Sequence, residues 1–240
     1  MSRVRRLQFE TTRWSLVLAA GGSHSSAARE ALAALCEVYW YPLYGYVRRH
    51  GSDADDAADA IQSFILLLLE RDDLQGLRPE RGRFRAFLLA SLRHFLANRR
   101  VHDGALKRGG GAPPLPLEFN LAEQRYALEP TADGTPETVF ERAWAMAVLE
   151  QVFGRIRQEW DARGRGVEFD RLKGCLMGDL PEGGYKSLAL DLASTEAAVK
   201  MAVQRLKRRF EQELRSEIAD TVTDDAVDDE LRYLLKALQG

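Results

Sequence analysis

The chain has 240 residues, 29% of them charged, and a formal net charge of -2 at neutral pH. That length accommodates one large domain or two small ones. The total excludes a uniformly basic chain, so any case for nucleic acid has to come from local charge.

The opening, MSRVRRLQFETTRW, is basic but lacks an apolar stretch followed by a cleavage site, so no signal peptide is expected. Arg29 to Arg49 places Leu32, Leu35, Val38, Tyr39, Leu43 and Tyr46 on one face of a helix that Pro42 should bend or break. Gly51-Ser52-Asp53 should stop that helix and cap the next, which runs from about Ala54 to Arg71 with Asp55 and Asp56 in its first turn. After a loop, 74–82, a third helix runs from about Arg83 to Val101, with Phe84, Phe87, Leu88, Leu92, Phe95 and Leu96 as its apolar side. KRGGGAPPLP at 107–116 has no helical period and marks a linker that continues to Pro136. Glu137 to Asp161 reads as a long helix ended by Gly164-Arg165-Gly166, and Phe169 to Met177 as a short one. Tyr185 to Leu192 and Thr195 to about Glu217 read as two helices joined by Ala193-Ser194-Thr195, with Ser194 placed to cap the second. The tail ends in an amphipathic pattern at Leu231, Leu234, Leu235 and Leu238.

Nothing reads as a strand, so the expected class is all-α: two small helical domains joined by a flexible linker. The apolar run Ile65 to Leu69 is far too short to span a bilayer, and a cytoplasmic location is expected. Cys36 and Cys175 sit inside apolar helical patterns and make no CxxC unit, as buried free thiols would.

Charge is segregated along the chain. Between Arg78 and Arg108 stand Arg78, Arg81, Arg83, Arg85, Arg93, Arg99, Arg100, Lys107 and Arg108, opposed only by Glu80 and Asp103. From Asp53 to Asp73 the sign reverses, with Asp53, Asp55, Asp56, Asp59, Glu70, Asp72 and Asp73 against Arg71, and the tail after Phe210 is again acidic. Such a chain can meet an anion with one face and a cation with another.

The sharpest local pattern is residues 185–210, YKSLALDLASTEAAVKMAVQRLKRRF. Val199, Val203, Leu206 and Phe210 form an apolar face against which Leu188, Leu192 and Ala198 can pack; Lys200, Gln204, Lys207 and Arg208 lie opposite. Two short helices joined by a tight turn, the second basic on its outer side, fit a helix-turn-helix. Lysine and arginine neutralise phosphates there, and a glutamine can read base edges. None of His24, His50, His94 and His102 lies in an HExxH unit or a metal-binding pair, and no phosphate-cradling glycine loop is present. An enzyme, a metal or a cofactor is therefore not expected.

The order of apolar helix, acidic helix, GRFRAFLLASLRHFLAN, linker and helix-turn-helix resembles the extracytoplasmic-function sigma factors, the smallest members of the sigma-70 family. DADDAADAIQSF at 53–64 resembles that family's acidic D-x-E-D-x-x-D-L-x-Q-E-x-F helix, which binds the clamp of the polymerase's largest subunit. FRAFLLASLRHFLAN at 84–98 resembles its FRAWLxxIARNxxxD element, which opens and reads the -10 promoter element. LALDLASTEAAVKMAVQRLKRRF resembles the helix-turn-helix that reads the -35 element. The opening TTRWSLVLAA and the closing EIADTV and DDELRYLLKAL resemble a subgroup often found near Ser/Thr protein kinase genes.

The resemblance implies an N-terminal arm at 1–25, a region 2-like domain at 26–103, a linker at 104–136 threading toward the polymerase cleft, a region 4-like domain at 137–216 and an acidic extension at 217–240. It places Asp55, Asp56, Asp59 and Gln62 on the clamp of bacterial core RNA polymerase. Arg83, Arg93, His94, Asn98 and Arg99 would face the -10 element of promoter DNA, and Thr195, Lys200, Gln204, Arg205 and Arg208 the -35 major groove. A Ser/Thr kinase or an anti-sigma factor is the implied class of regulator. The acidic tail would either cover the basic helix or merely solubilise the chain.

The chain departs from the family pattern at Ser63, where a glutamate is usual, at Leu67, Ser187 and Asp191, and at Ala193, which replaces a turn glycine. Without glycine the turn must avoid the left-handed region or bear a modest strain. A phosphoserine at Ser63 would restore about -1.5 to -2 of charge to the acidic helix. The alternative reading is a stand-alone helix-turn-helix regulator, with 1–136 as a ligand or dimerisation domain; the acidic helix and FRAF element have no role in it.

Overall fold

The computed structural model describes residues 26–70, 83–102, 119–128, 134–222 and 224–239. The expected N-terminal arm, the loop 74–82 and most of the linker lie outside the described residues. Among those described, the α-helices are α1 (Ser26–Arg49), α2 (Ala54–Glu70), α3 (Phe84–His102), α4 (Phe119–Leu128), α5 (Pro136–Asp161), α6 (Gly166–Leu172), α7 (Gly184–Asp191), α8 (Glu196–Ala219) and α9 (Val227–Gln239). The β pairing among them is one isolated antiparallel bridge, Arg83 to Val222. The chain is helical, and no described helix is long and apolar enough to cross a membrane.

By compactness the chain divides into two units, 1–147 with 218–240, and 148–217. The expected domains placed the break at 104–136 and left 217–240 as an extension. The difference has a physical basis in what the intervening helices bury. Ala122 of α4, and Phe140, Ala143 and Trp144 of α5, are all buried within the first unit. The Trp144 indole N–H donates to the Tyr39 hydroxyl at 2.9 Å. From the C-terminal segment, Ile218, Val222, Val227 and Leu234 are buried as well. A side chain of that size contributes about 1.5–3 kcal/mol when fully buried. The segment is therefore part of the first unit's core.

In the same unit α1 packs against α2, α3 and α4. Pro42 does not break α1, which is one helix from Ser26 to Arg49. Proline removes a ladder hydrogen bond, but Tyr39, Tyr41, Leu43, Tyr44, Tyr46 and Val47 around it are all buried, and tertiary packing supplies most of a helix's stability. Asp53 caps α2 as expected: its Oδ1 accepts from the Asp56 N–H at 2.8 Å.

The second unit is built on one apolar cluster. Val152, Ile156 and Trp160 of α5 meet Phe169 and Leu172 of α6, Cys175 in the 3-10 turn that follows α6, Leu188 and Ala189 of α7, and Val199, Ala202, Val203 and Leu206 of α8. The end of α5 turns at Gly164, φ +69, where the Arg165 N–H closes on the Trp160 carbonyl at 2.8 Å. That bond and the left-handed residue make a Schellman-type cap, a position that favours glycine. Both cysteines are buried, as expected.

Candidate nucleic-acid and protein interfaces

On α2 the spacing of charges matches the helical period. Asp55, Asp56, Asp59 and Ser63 are exposed, Gln62 is half-buried, and Ala57, Ala60, Ile61, Phe64 and Ile65 are buried on the other side. Asp53 is used as the cap, so Asp55, Asp56 and Asp59 carry the outward charge. The face is anionic and set on a rigid element, which suits a basic protein surface.

The basic residues of α3 are not equivalent. Arg85 is only 7% exposed. Its guanidinium holds Glu230 of α9 through two hydrogen bonds, 2.5 and 3.2 Å, and lies 3.8 Å from the Tyr233 ring centroid and 5.1 Å from that of Trp144. Burial lowers the Arg85 pKa, but hydrogen bonding and charge from Glu230 outweigh it, so the group is held above its ordinary value. Arg83 pairs with the same carboxylate at 3.2 Å. Arg93 keeps half its side chain in solvent while donating to Glu137 at 2.5 Å and to the Tyr46 hydroxyl at 3.0 Å. The Glu137 carboxyl is held below the usual range by its own backbone N–H, against burial, and then by Arg93. His94 and Asn98 are exposed one turn apart, and Arg99 is half-buried. Of the residues expected at the -10 element, Arg93, His94 and Asn98 are thus open to a ligand, whereas Arg83 is turned onto Glu230. Phe84 and Leu88 are fully buried and Phe87 and Phe95 partly so.

The segment expected to be a helix-turn-helix is α7, a turn at 192–195, and α8. Its core side is the buried stripe Val199, Ala202, Val203 and Leu206, while Lys200, Gln204, Arg205, Lys207 and Arg208 are exposed. Ala193 has φ +46, so the turn enters the left-handed region and bears the strain of a Cβ there. The bond from the Ser194 N–H to the Ala189 carbonyl, 2.8 Å, closes the end of α7. Thr195 caps α8, its Oγ1 accepting from the Ala198 N–H at 3.2 Å. The expected cap was Ser194, one residue earlier; the left-handed residue shifts the register of the turn by one. Thr195 is exposed, but its hydroxyl is committed to the helix end.

Lys200 pairs with Glu196 one turn back at 2.7 Å, and Arg209 holds Glu159 and Glu213. Arg205, Lys207 and Arg208 make no ion pair among the described residues. An exposed cationic stripe beside a glutamine offers phosphate neutralisation and a base-edge donor and acceptor together.

Two functional partners were missed in the sequence. Glu137 was read only as a helix start, and Glu230 as part of an acidic tail. Glu230 lies with buried Val227 and Leu234 on one stripe of α9, and an acid on an apolar stripe is the signal that marks a buried ion pair. Also unexpected was α4, inside the predicted linker. Its Glu123 takes two hydrogen bonds from Arg48 of α1, 3.0 and 2.8 Å, and one from the Tyr44 hydroxyl at 2.5 Å. Arg48 holds the Glu123 carboxyl below the usual range, against burial. Among the described residues no cluster of three or more His, Cys, Asp or Glu side chains is placed to hold a metal.

No protein-family model, curated protein or solved structure matches this chain.

Proposed function

We propose that the protein is an alternative sigma factor: a subunit that binds bacterial core RNA polymerase and directs it to promoter DNA. The observation that carries the reading is the pairing of opposite surfaces. An exposed acidic face, Asp55, Asp56 and Asp59, lies on a helix of the first unit, and an exposed cationic stripe, Arg205, Lys207 and Arg208, on the outer helix of a helix-turn-helix in the second. A stand-alone regulator needs the second surface and has no use for the first.

In this role Asp55, Asp56, Asp59 and Gln62 dock on the polymerase clamp. Arg93, His94 and Asn98 meet the -10 element, and Lys200, Gln204, Arg205 and Arg208 the -35 groove. Arg83 acts through Glu230 and not on DNA. Ser63, exposed on the acidic face, is the proposed site at which a Ser/Thr kinase would add charge.

Gel filtration of the purified chain with core polymerase at moderate salt tests the reading. A one-to-one complex is expected, weakened by Asp56→Lys. Failure of wild type and of Ser63→Glu to bind would sink it in favour of a stand-alone DNA-binding regulator.

A further inference from the structure

We infer that residues 218–239 are a permanent part of the module that meets the -10 element, with Glu230 as a positioning residue for the start of α3, and not a removable mask over it. The inference rests on the sigma-factor reading for what α3 does; the clasp itself stands on the contacts.

The segment holds the start of α3 by its backbone and by charge, and it is itself fixed by buried apolar side chains. The Thr221 carbonyl accepts from the Phe84 N–H at 3.0 Å. Phe84 is the first residue of α3, and the first N–H groups of a helix have no acceptor within it. The cap of α3 is therefore delivered from the far end of the chain, with Val222 bridged to Arg83 beside it. Glu230, 1% exposed, then receives both Arg83 and Arg85. Tyr233 covers the Arg85 guanidinium, and Ile218, Val222, Val227 and Leu234 of the same segment are buried.

A mask has to come away, and this segment is held against leaving. Its departure would strip the α3 start of its acceptor and expose four apolar side chains. It would also take from buried Arg85 its two-bond partner and leave only Glu141, at 4.0 Å, as counter-charge, a costly way to break a buried pair. A mask must also cover what it inhibits. With the segment in place Arg93, His94 and Asn98 remain exposed. The acid of this tail is spent on setting the helix.

Promoter opening tests this on the full chain assembled with core polymerase, using a promoter selected from random DNA by the wild-type holoenzyme. Permanganate reactivity of unpaired thymines is compared on duplex DNA and on a template already unpaired at the -10 element. Wild type, Glu230→Gln, Glu230→Asp and a chain ended after Ser216 are measured well below the melting temperature of each. Glu230→Gln should bind core polymerase normally but open duplex DNA about tenfold less well, because a glutamine turns an N–H toward the two guanidinium groups. The unpaired template should return it to near the wild-type level, and Glu230→Asp should recover part of the duplex activity. Equal or greater opening by Glu230→Gln or by the shortened chain would overturn the inference in favour of a mask or an idle tail. The same loss on both templates would overturn positioning and leave a purely structural role. If wild type itself forms no complex with core polymerase, the sigma-factor reading fails, and the role given to α3 fails with it.

Discussion

At the start of α3 the guanidinium groups of Arg83 and Arg85 end on Glu230 of their own unit, whereas in α8 those of Arg205 and Arg208, with the Lys207 ammonium, end in solvent. The two helices look alike as charge runs. They differ in what faces them, since the start of α3 is met by buried Glu230, and on α8 no acid pairs with Arg205, Lys207 or Arg208 among the described residues. Formal charge along a chain is therefore a poor count of the charge a partner meets. A buried pair fixes geometry and an exposed one adjusts affinity, and the two respond differently to salt and to mutation.

The largest effect expected from that contrast is on stability. Glu230→Ala should destabilise the protein by about 3–5 kcal/mol in urea unfolding, because it takes both hydrogen bonds from buried Arg85 and leaves it only the longer contact with Glu141. Glu196→Ala, which frees exposed Lys200, should leave the urea midpoint nearly unchanged. Similar losses in the two would erase the distinction. Salt dependence sharpens it from the other side. Replacing Arg205, Lys207 and Arg208 together with alanine should reduce the slope of log affinity for DNA against log salt by about 2–3. Arg83→Ala should leave that slope nearly unchanged, and an equal effect would mean that Arg83 reaches phosphate after all.

Smaller effects probe the turn that presents α8. Thr195→Ala should cost about 1 kcal/mol in thermal unfolding, as the loss of a helix cap does, and Ser194→Ala only a few tenths. Ala193→Gly should stabilise by up to about 1 kcal/mol, since glycine accepts φ +46 without strain. A loss of stability in that variant would show that the alanine methyl packs usefully where it stands.

Local signals were legible in the sequence and distant ones were not. The helices α7 and α8 with their short turn, the Asp53 cap and the outward acids of α2 follow from spacing within a few residues, and the structure has them where spacing puts them. The cap of α8 falls on Thr195 and not on Ser194 because the Ser194 N–H closes the end of α7, a choice between two adjacent hydroxyls that spacing alone does not make. Pro42 was overweighted, because the tyrosines and leucines that hold α1 together outweigh one lost hydrogen bond. FNLAEQRYAL, now α4, stands among glycines and prolines, and its anchors, Arg48 on Glu123 and Tyr41 under Arg125, lie on α1, out of reach of local spacing. The Glu230 pair joins positions 145 residues apart, and periodicity cannot reach that far.

The burial of the two cysteines has a practical side. Cys36 has a thiol pushed up to about 12, first by burial and then by Glu37, and burial raises Cys175 too. At neutral pH a thiol with that value is a thiolate only about one time in 10^5, and the thiolate is the reactive form. Maleimide should leave both untouched in the folded protein and modify them once it unfolds. Ser63→Cys, a one-atom change at an exposed position of α2, would then take a fluorophore selectively in the otherwise native chain. The dye would sit on the acidic face itself and report its encounter with any partner in real time.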